Sequence, residues 1–332
     1  MLYKEAGVDI AAMAAAKKVF GRICRTTYTR EVLSEIGLFG SLFRMPKLAD
    51  PVLVASCDSV GTKVLIGREL GRLDTVGIDI VNHSVNDILT LGARPLFFLD
   101  YIGHANLTGA QLAEIVRGLA RACRQNRCAL VGGEVAMMPD VYRPGDFDLA
   151  GFIVGVVERR KVIDGRRLRP GQLAIGLPSS GLHTNGYTLA RKVLFDQAGL
   201  TVNSRVPGLA RPLGEELLRP HRSYLSSVYP LLSRISAIAH ITGGGFYDNI
   251  GRLLPSETAC IIKKSAWRPP AIFRLIQRLG AVPEEEMFRT FNMGIGMVLF
   301  ASRRAVRRIR TAIPRSRVIG KVVRGTYGVV VI

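Results

Sequence analysis

Short apolar runs of four to seven residues alternate with longer stretches whose apolar positions recur every three or four residues, and that alternation predicts an α/β (α+β) chain. After a helix over about 10–20, the first half reads as strands at 51–55, 96–101 and 128–131 and a long strand over 146–157. Helices are expected between them at about 74–91 and 108–125. The second half opens with a strand at 172–177, has an apolar run at 235–241, and closes with strands at 294–300 and 328–332. The basic stretch 159–170, with a turn at Asp164-Gly165, reads as a linker. The expected organisation is a leader with a glycine-containing flap over 1–48, a first domain over 49–160 and a second over 171–332.

Two helices carry unusual polar patterns. In the 74–91 helix, Asp79, Asn82, His83, Asn86, Asp87 and Thr90 share one face, while Ile78, Ile80, Val81, Val85, Ile88 and Leu89 cover the rest. A helix apolar on most sides is buried, and a buried stripe with two carboxylates is costly unless solvent, an internal hydrogen-bond network or a metal-bound ligand pairs with it. His83 fits a hydrogen-bonded partner better than a metal ligand. Near the end, Arg303, Arg304, Arg307, Arg308 and Arg310 surround the apolar positions Ala305, Val306 and Ile309. That segment reads as a solvated helix face rather than an RNA-binding patch, because it lacks interleaved aromatic residues.

Composition narrows the classes. The 332 residues suffice for two ordinary cores, and 48% hydrophobic with 22% charged residues is a globular balance. No run of eighteen apolar residues occurs, and Lys4, Glu5 and Asp9 stand where a signal peptide would need an apolar core, so a cytosolic protein without a membrane span is expected. The five cysteines form no C-x-x-C pair and read as reduced thiols. A net charge of +20 is compatible with a nucleic-acid surface or with an enzyme of polyanionic phosphates.

Candidate chemistry collects at strand ends. The stretch Ser56-Cys57-Asp58-Ser59-Val60-Gly61-Thr62-Lys63 puts a carboxylate, a glycine, a hydroxyl and a lysine after an apolar run, as a phosphate-binding mouth or a solvated loop would; it fails the P-loop pattern. Gly132-Gly133-Glu134 repeats that logic. Asp58, Asp87 and Glu134 are hard oxygen ligands of the kind that hold Mg²⁺ on substrate phosphates. Around Gly37, Phe39 and Gly40, glycines among apolar residues make either a flap over a ligand or a packed loop. The junction Ser180-Gly181-Leu182-His183-Thr184-Asn185-Gly186 offers backbone N–H groups at a helix start, and Thr242-Gly243-Gly244-Gly245 is a second such turn or merely a flexible one.

In this order, the motifs resemble those of the phosphoribosylformylglycinamidine cyclo-ligase (AIR synthetase) family. The likeness runs from the leader at residues 3–10 through Asp58–Lys63, Val85-Asn86-Asp87, residues 95–101, Gly132–Glu134, Ser180–Tyr187, Thr242–Phe246 and Arg289-Thr290-Phe291-Asn292. The resemblance implies a two-domain fold whose N-terminal sheet pairs with that of a second subunit into a barrel, with active sites in clefts near the dimer interface. It implies that formylglycinamidine ribonucleotide and ATP, with Mg²⁺, become aminoimidazole ribonucleotide, ADP and phosphate through phosphorylation of the formamide oxygen. On that reading Asp58, Asp87 and Glu134 hold metal and phosphates with Gly61, Thr62, Asn86, Gly132 and Gly133, and Lys63 counters phosphate charge. The flap covers the nucleotide. Ser180, Gly181, His183, Asn185 and Thr242–Gly245 hold the ribonucleotide, with His183 as a proton-transfer group. Cys57, Ser59 and the stretch Val135–Asp140 depart from the family's pattern; Met137 in particular replaces a glutamate. The rivals are other ATP-dependent enzymes of the superfamily, or a non-catalytic basic nucleic-acid binder.

Overall fold

The computed structural model describes residues 10–332, so the leader motif at residues 3–9 lies outside the described residues. The chain divides into two compact units, one of residues up to 88 plus Arg94–Glu158, the other of Leu89–Ala93 plus Arg159–Ile332.

The first unit contains α1 (Ile10–Arg25), β1 (Pro51–Ser59), α2 (Val64–Glu69), α3 (Asp74–Thr90, whose last two residues count with the second unit), β2 (Arg94–His104), α4 (Gly109–Gln125), β3 (Ala129–Met137) and β4 (Phe147–Glu158). Its sheet has the order β1-β4-β2-β3; β4 runs antiparallel to both β1 and β2, and β2 is parallel to β3. Helix α1 continues past the expected end at Phe20, because Gly21 meets no obstacle and Arg22 and Arg25 suit the negative end of a helix. Strands β1 and β3 also outrun their apolar cores. Asp58 therefore lies inside a strand, paired with Gly151, and the two glycines at 132 and 133 lie inside β3 rather than in a turn after it.

One face of this sheet packs on α3. Gly151 and Gly155 are the spacers: a Cβ on Gly151 would stand 2.2 Å from Phe98 Cζ and 2.7 Å from Ile80 Cγ1, and one on Gly155 2.6 Å from Ile88 Cδ1. The opposite face is covered only in part, by Phe43 against Phe97. Leu53 is 58% and Phe152 43% exposed there, beside half-buried Phe97, Leu99 and Val154. Cys57, an exposed free thiol, lies on the same face.

The second unit contains β5 (Leu173–Pro178), α5 (Tyr187–Arg191, continued by a π-helical turn), α6 (Leu213–Leu217), α7 (Leu225–Val228), β6 (Ala237–His240), α8 (Gly245–Gly251), β7 (Thr258–Ile262), α9 (Ala271–Gly280), α10 (Glu284–Thr290), β8 (Ile295–Ala301), α11 (Arg303–Ala312), β9 (Arg317–Arg324) and β10 (Val329–Val331). Its six strands have the order β10-β7-β9-β5-β8-β6, antiparallel except for β10 and β7. Strand β8 is buried at every position and is the spine of a core that includes Ile175, Leu177, Tyr224, Ile238, Met297 and Leu299. The basic stretch after residue 158 is no loose tether, since Ile163 and Leu168 are buried. In α11, Val306 and Ile309 point inward and the five arginines are exposed, as the pattern predicts.

Candidate functional site

In the first unit, β1 and α3 bring two acids to one imidazole. His83 Nε2 lies 2.8 Å from Asp58 Oδ2 and 3.4 Å from Asp87 Oδ2. The register explains it: Asp58 shares a row with Gly151 on the face covered by α3, and His83 and Asp87 are one helical turn apart on that helix. Burial alone pulls the His83 pKa down, but the Asp58 hydrogen bond and the charges of Asp87, Asp58 and Asp79 more than offset it and hold the imidazole above its ordinary range. The two carboxylates remain partly open to solvent. Such a set, two hard oxygen donors with room for water and phosphate oxygens, fits Mg²⁺.

Lys63 does not stand at this mouth. It lies in a short 3₁₀ turn, Gly61–Lys63, and is wholly buried, with its Nζ 2.8 Å from Asp79 Oδ2, itself wholly buried. Burial lowers its pKa and Asp79 opposes that shift. The expected partner of a phosphate is thus the partner of an internal carboxylate. Asn82, from the same helical stripe, accepts a hydrogen bond from Asn126 Nδ2 at 2.8 Å. The stripe is paired from within at Asp79 and Asn82 and faces the mouth at His83 and Asp87. Asn86, expected at the nucleotide, is fully buried on the same helix.

Glu134 also lies elsewhere. In the register, Asp58, Gly151, Asp100 and Gly133 form one row across four strands, so Glu134, one residue on, faces the opposite side of the sheet. Three strand spacings, roughly 14 Å, separate β1 from β3. One chain therefore gathers Asp58 and Asp87 but not the expected trio. Met137, for the same reason, faces away from Glu134 and pairs in register with buried His104.

Glu134 borders a different feature, a cavity of about 970 Å³ at the β3 edge. Its walls are Lys17, Lys18, Arg22 and Arg25 of α1, the tip Ile36–Phe39, Asp100, and Gly132–Val135. The flap is an arm whose sides are joined by a Val32–Phe43 bridge and the Leu33 N–H to Leu42 oxygen bond at 2.8 Å. Ser41 Oγ donates to the Val131 oxygen at 2.6 Å, and Phe43 lies 5.2 Å from Phe97, ring centre to ring centre. The tip residue Phe39 is fully exposed. Gly37 and Phe39 thus line the same cavity as Gly132, Gly133 and Glu134, while Gly40 is not among the residues lining it. Asp100 was missed as a site residue. Burial first, and the Glu134 charge second, push its carboxyl up to about 7. Its only sequence signal was an acid inside an apolar strand.

In the second unit, the two loops expected to hold the ribonucleotide come together. A Cβ on Gly243 would lie 3.4 Å from Asn185 Oδ1. His183 is buried and holds a left-handed backbone at φ 65°, and its Nε2 accepts from the Ser180 N–H at 3.1 Å. Gly245, at φ 56°, could take no side chain, since a Cβ would stand 1.9 Å from the Phe288 oxygen. Two amides lock these loops. Asn292 Nδ2 donates to the Gly181 and Leu182 oxygens at 3.0 and 3.1 Å, and its Oδ1 accepts from Ser179 Oγ and the Gly294 N–H. Asn249 Nδ2 donates to the Gly243 and Gly245 oxygens at 3.0 and 2.8 Å. Neither was singled out from sequence, although Asn292 closes one of the recognised motifs.

Comparison with known proteins agrees with both halves. The AIR synthase related protein N-terminal domain family matches residues 45–157, and the corresponding C-terminal domain family matches residues 169–332. A protein of Citrifermentans bemidjiense named phosphoribosylformylglycinamidine cyclo-ligase is 50% identical over 301 residues, 90% of this chain and 86% of the relative. One of Thermoanaerobacter sp. with the same name is 44% identical over 335 residues, 99% and 100% of the two chains. Among solved structures, a thiamine-monophosphate kinase from Stenotrophomonas maltophilia has a TM-score of 0.68 at 20% identity, covering 93% of this chain and 94% of that one. The hydrogenase maturation protein HypE, solved in complex with ATP, gives 0.65 at 16% identity and covers 96% and 91%. These two show the fold. With both halves matched and identity sustained over nearly its whole length, the chain belongs to the phosphoribosylformylglycinamidine cyclo-ligase family of AIR synthase related proteins.

Proposed function

We propose that this chain is a cytoplasmic, homodimeric ligase that closes formylglycinamidine ribonucleotide to aminoimidazole ribonucleotide at the expense of ATP, in purine biosynthesis. Identity of 44–50% to cyclo-ligases over most of the chain carries the proposal. Phosphoryl transfer asks a protein mainly for positioning and charge neutralisation. Asp58 and Asp87 would hold Mg²⁺, which neutralises phosphate charge when bound, with Gly61 and Thr62 beside them. His83 keeps the two acids oriented. The arm tip with Gly37 and Phe39, and Gly132–Glu134, would cover the nucleotide, whose size suits a cavity of about 970 Å³. Ser180, Gly181, His183, Asn185 and Thr242–Gly245 would hold the ribonucleotide, with His183 placed to move a proton.

The exposed apolar sheet face supports the homodimer. Exposed Leu53 and Phe152 and the half-buried residues around them form an apolar surface of the kind a second sheet covers. Glu134 projects from that face, so its part in the site would be played across the subunit boundary. No helix of the described residues is long and apolar enough to cross a membrane.

Purified protein with formylglycinamidine ribonucleotide, ATP and Mg²⁺ should release ADP and aminoimidazole ribonucleotide in equal amounts, and thiamine monophosphate should give no turnover. ADP release with thiamine monophosphate but not with the formamide substrate would overturn the proposal. Sedimentation should show a dimer, and Phe152→Asp a monomer without activity; an active monomer would remove the dimer from the mechanism.

A further inference from the structure

We propose that helix α11 is a docking site for the sugar-phosphate backbone of duplex DNA, bound without regard to sequence. Arg303, Arg304, Arg307, Arg308 and Arg310 are all exposed on this helix, and none of them stands in an ion pair among the described residues. The segments around them carry no acid either. Asp and Glu are missing from Met287 to Ile332, which holds α11 and β9, from Leu217 to Tyr247, which holds β6, and from Gly165 to Phe195, which holds β5. A face built for solvent alone intersperses both signs of charge, and these segments carry one.

The arrangement works against the helix that carries it. Arg303 with Arg307 and Arg304 with Arg308 are like charges at i, i+4, and Arg304 with Arg307 and Arg307 with Arg310 are like charges at i, i+3. Arg303 and Arg304 also occupy the first turn, at the positive end of the helix dipole, and no acid offsets them there. Folding uses the other face, where Val306 and Ile309 are buried in the core of the second unit. The outer face is thus repulsive in the free chain and turns favourable against a polyanion.

Shape selects which polyanion. The arginines leave α11 in two rows, each beside a groove: Arg303, Arg307 and Arg310 line one of about 540 Å³, and Arg304, Arg308 and Arg234 line one of about 320 Å³. A helix about 10–12 Å across with cations on both flanks matches the major groove of B-form DNA, about 12 Å wide, whose two rims are strands of phosphate. The grooves give each rim room beside the helix, and guanidinium forks take phosphate oxygens two at a time. Single strands find nothing to stack on, because α11 contains no aromatic residue. The deep, narrow major groove of duplex RNA does not admit side chains. A lipid surface finds no apolar face, since Val306 and Ile309 are already covered.

The test follows the fluorescence anisotropy of a labelled DNA duplex of two helical turns, about 20 base pairs, with full-length protein over a range of KCl concentrations. Six arginine contacts should give a slope of log K against log salt of about −5. Arg303→Gln with Arg307→Gln and Arg310→Gln should reduce its magnitude by about 2.7, and Arg304→Gln with Arg308→Gln by about 1.8. ADP release should stay at the parent's rate in both variants, and their melting temperatures should hold or rise, because like charges are removed. A slope unchanged in both variants would overturn the proposal. So would binding of the duplex no tighter than that of its single strand, of a duplex RNA of equal length or of a poly-glutamate of equal charge. In the parent protein, bound duplex should also shield the α11 arginines from phenylglyoxal, and modification there at the rate of the free protein would refute the site.

Discussion

The two units build their candidate sites in different ways. The first places charge: acids from a strand and a helix meet at a half-open mouth, balanced by an imidazole. The second places backbone: glycines and a left-handed histidine set the loops, and two buried asparagines hold the carbonyls in position. Charge acts through whatever is absent from the mouth as much as through what is present, whereas a scaffold of backbone acts through shape. Changes at the half-open mouth of the first unit should therefore cost turnover at nearly constant stability, unlike changes at its buried Lys63–Asp79 pair, and changes in the second unit's loops should cost affinity and stability together.

The largest expected effect is that of Asp58→Asn. It keeps the hydrogen-bonding shape but removes a charge, and kcat should fall by about 10²–10³-fold, the scale seen when one charge-stabilising group is lost. The melting temperature should stay within a few degrees, because Asp58 is partly exposed. A large loss of stability would erase the contrast between the units. Next is Lys63→Met, which leaves Asp79 buried without its ammonium and should destabilise the fold by about 3–5 kcal/mol in denaturant titrations. The double variant Lys63→Met with Asp79→Leu should regain most of that stability. Failure of the double variant to recover, with a raised KM for ATP, would return Lys63 to the phosphate.

Third, Asn292→Ala strands the Gly181 and Leu182 carbonyls and should cost about 1–3 kcal/mol of stability. It should raise KM for the ribonucleotide and leave KM for ATP unchanged. Equal effects on both KM values would show that the units do not divide the work. The smallest effects are those of pH. His83 is held above 6.5, so the stability it contributes is complete below that value and is lost as pH rises through its raised folded pKa. Asp100, held neutral up to about 7 against 3.8 for an ordinary Asp, lets the native state keep a proton that the unfolded chain has lost, so stability falls between those two values. Thermal melts from pH 4 to 8 should show both slopes. Asp100→Asn should flatten the lower one and raise the melting temperature by a few degrees above pH 7.

Much of this was legible in the residues. Alternating runs gave the class of fold and most strands, and the apolar helix with a polar stripe announced that something must pair with Asp79 and Asp87. Which partner does so was not legible. A lysine after a glycine reads the same whether it points to a ligand or into a core, and only packing puts Lys63 on Asp79. The side on which Glu134 projects was hidden for another reason. Two glycines lower strand propensity, so β3 seemed to end at Val131, and without the continued strand there is no alternation to count. Asn292 and Asn249 were invisible because their work is done on backbone oxygens distant in sequence.

The absent side chains at Gly151 and Gly155 act as a ruler. They let α3 settle against the sheet, and the distance from Asp58 to the imidazole is inherited from that seating. A single methyl group at residue 151 would lift the helix and loosen the paired acids without touching either of them, so the tolerance of this mouth is written in two positions that carry no chemistry of their own.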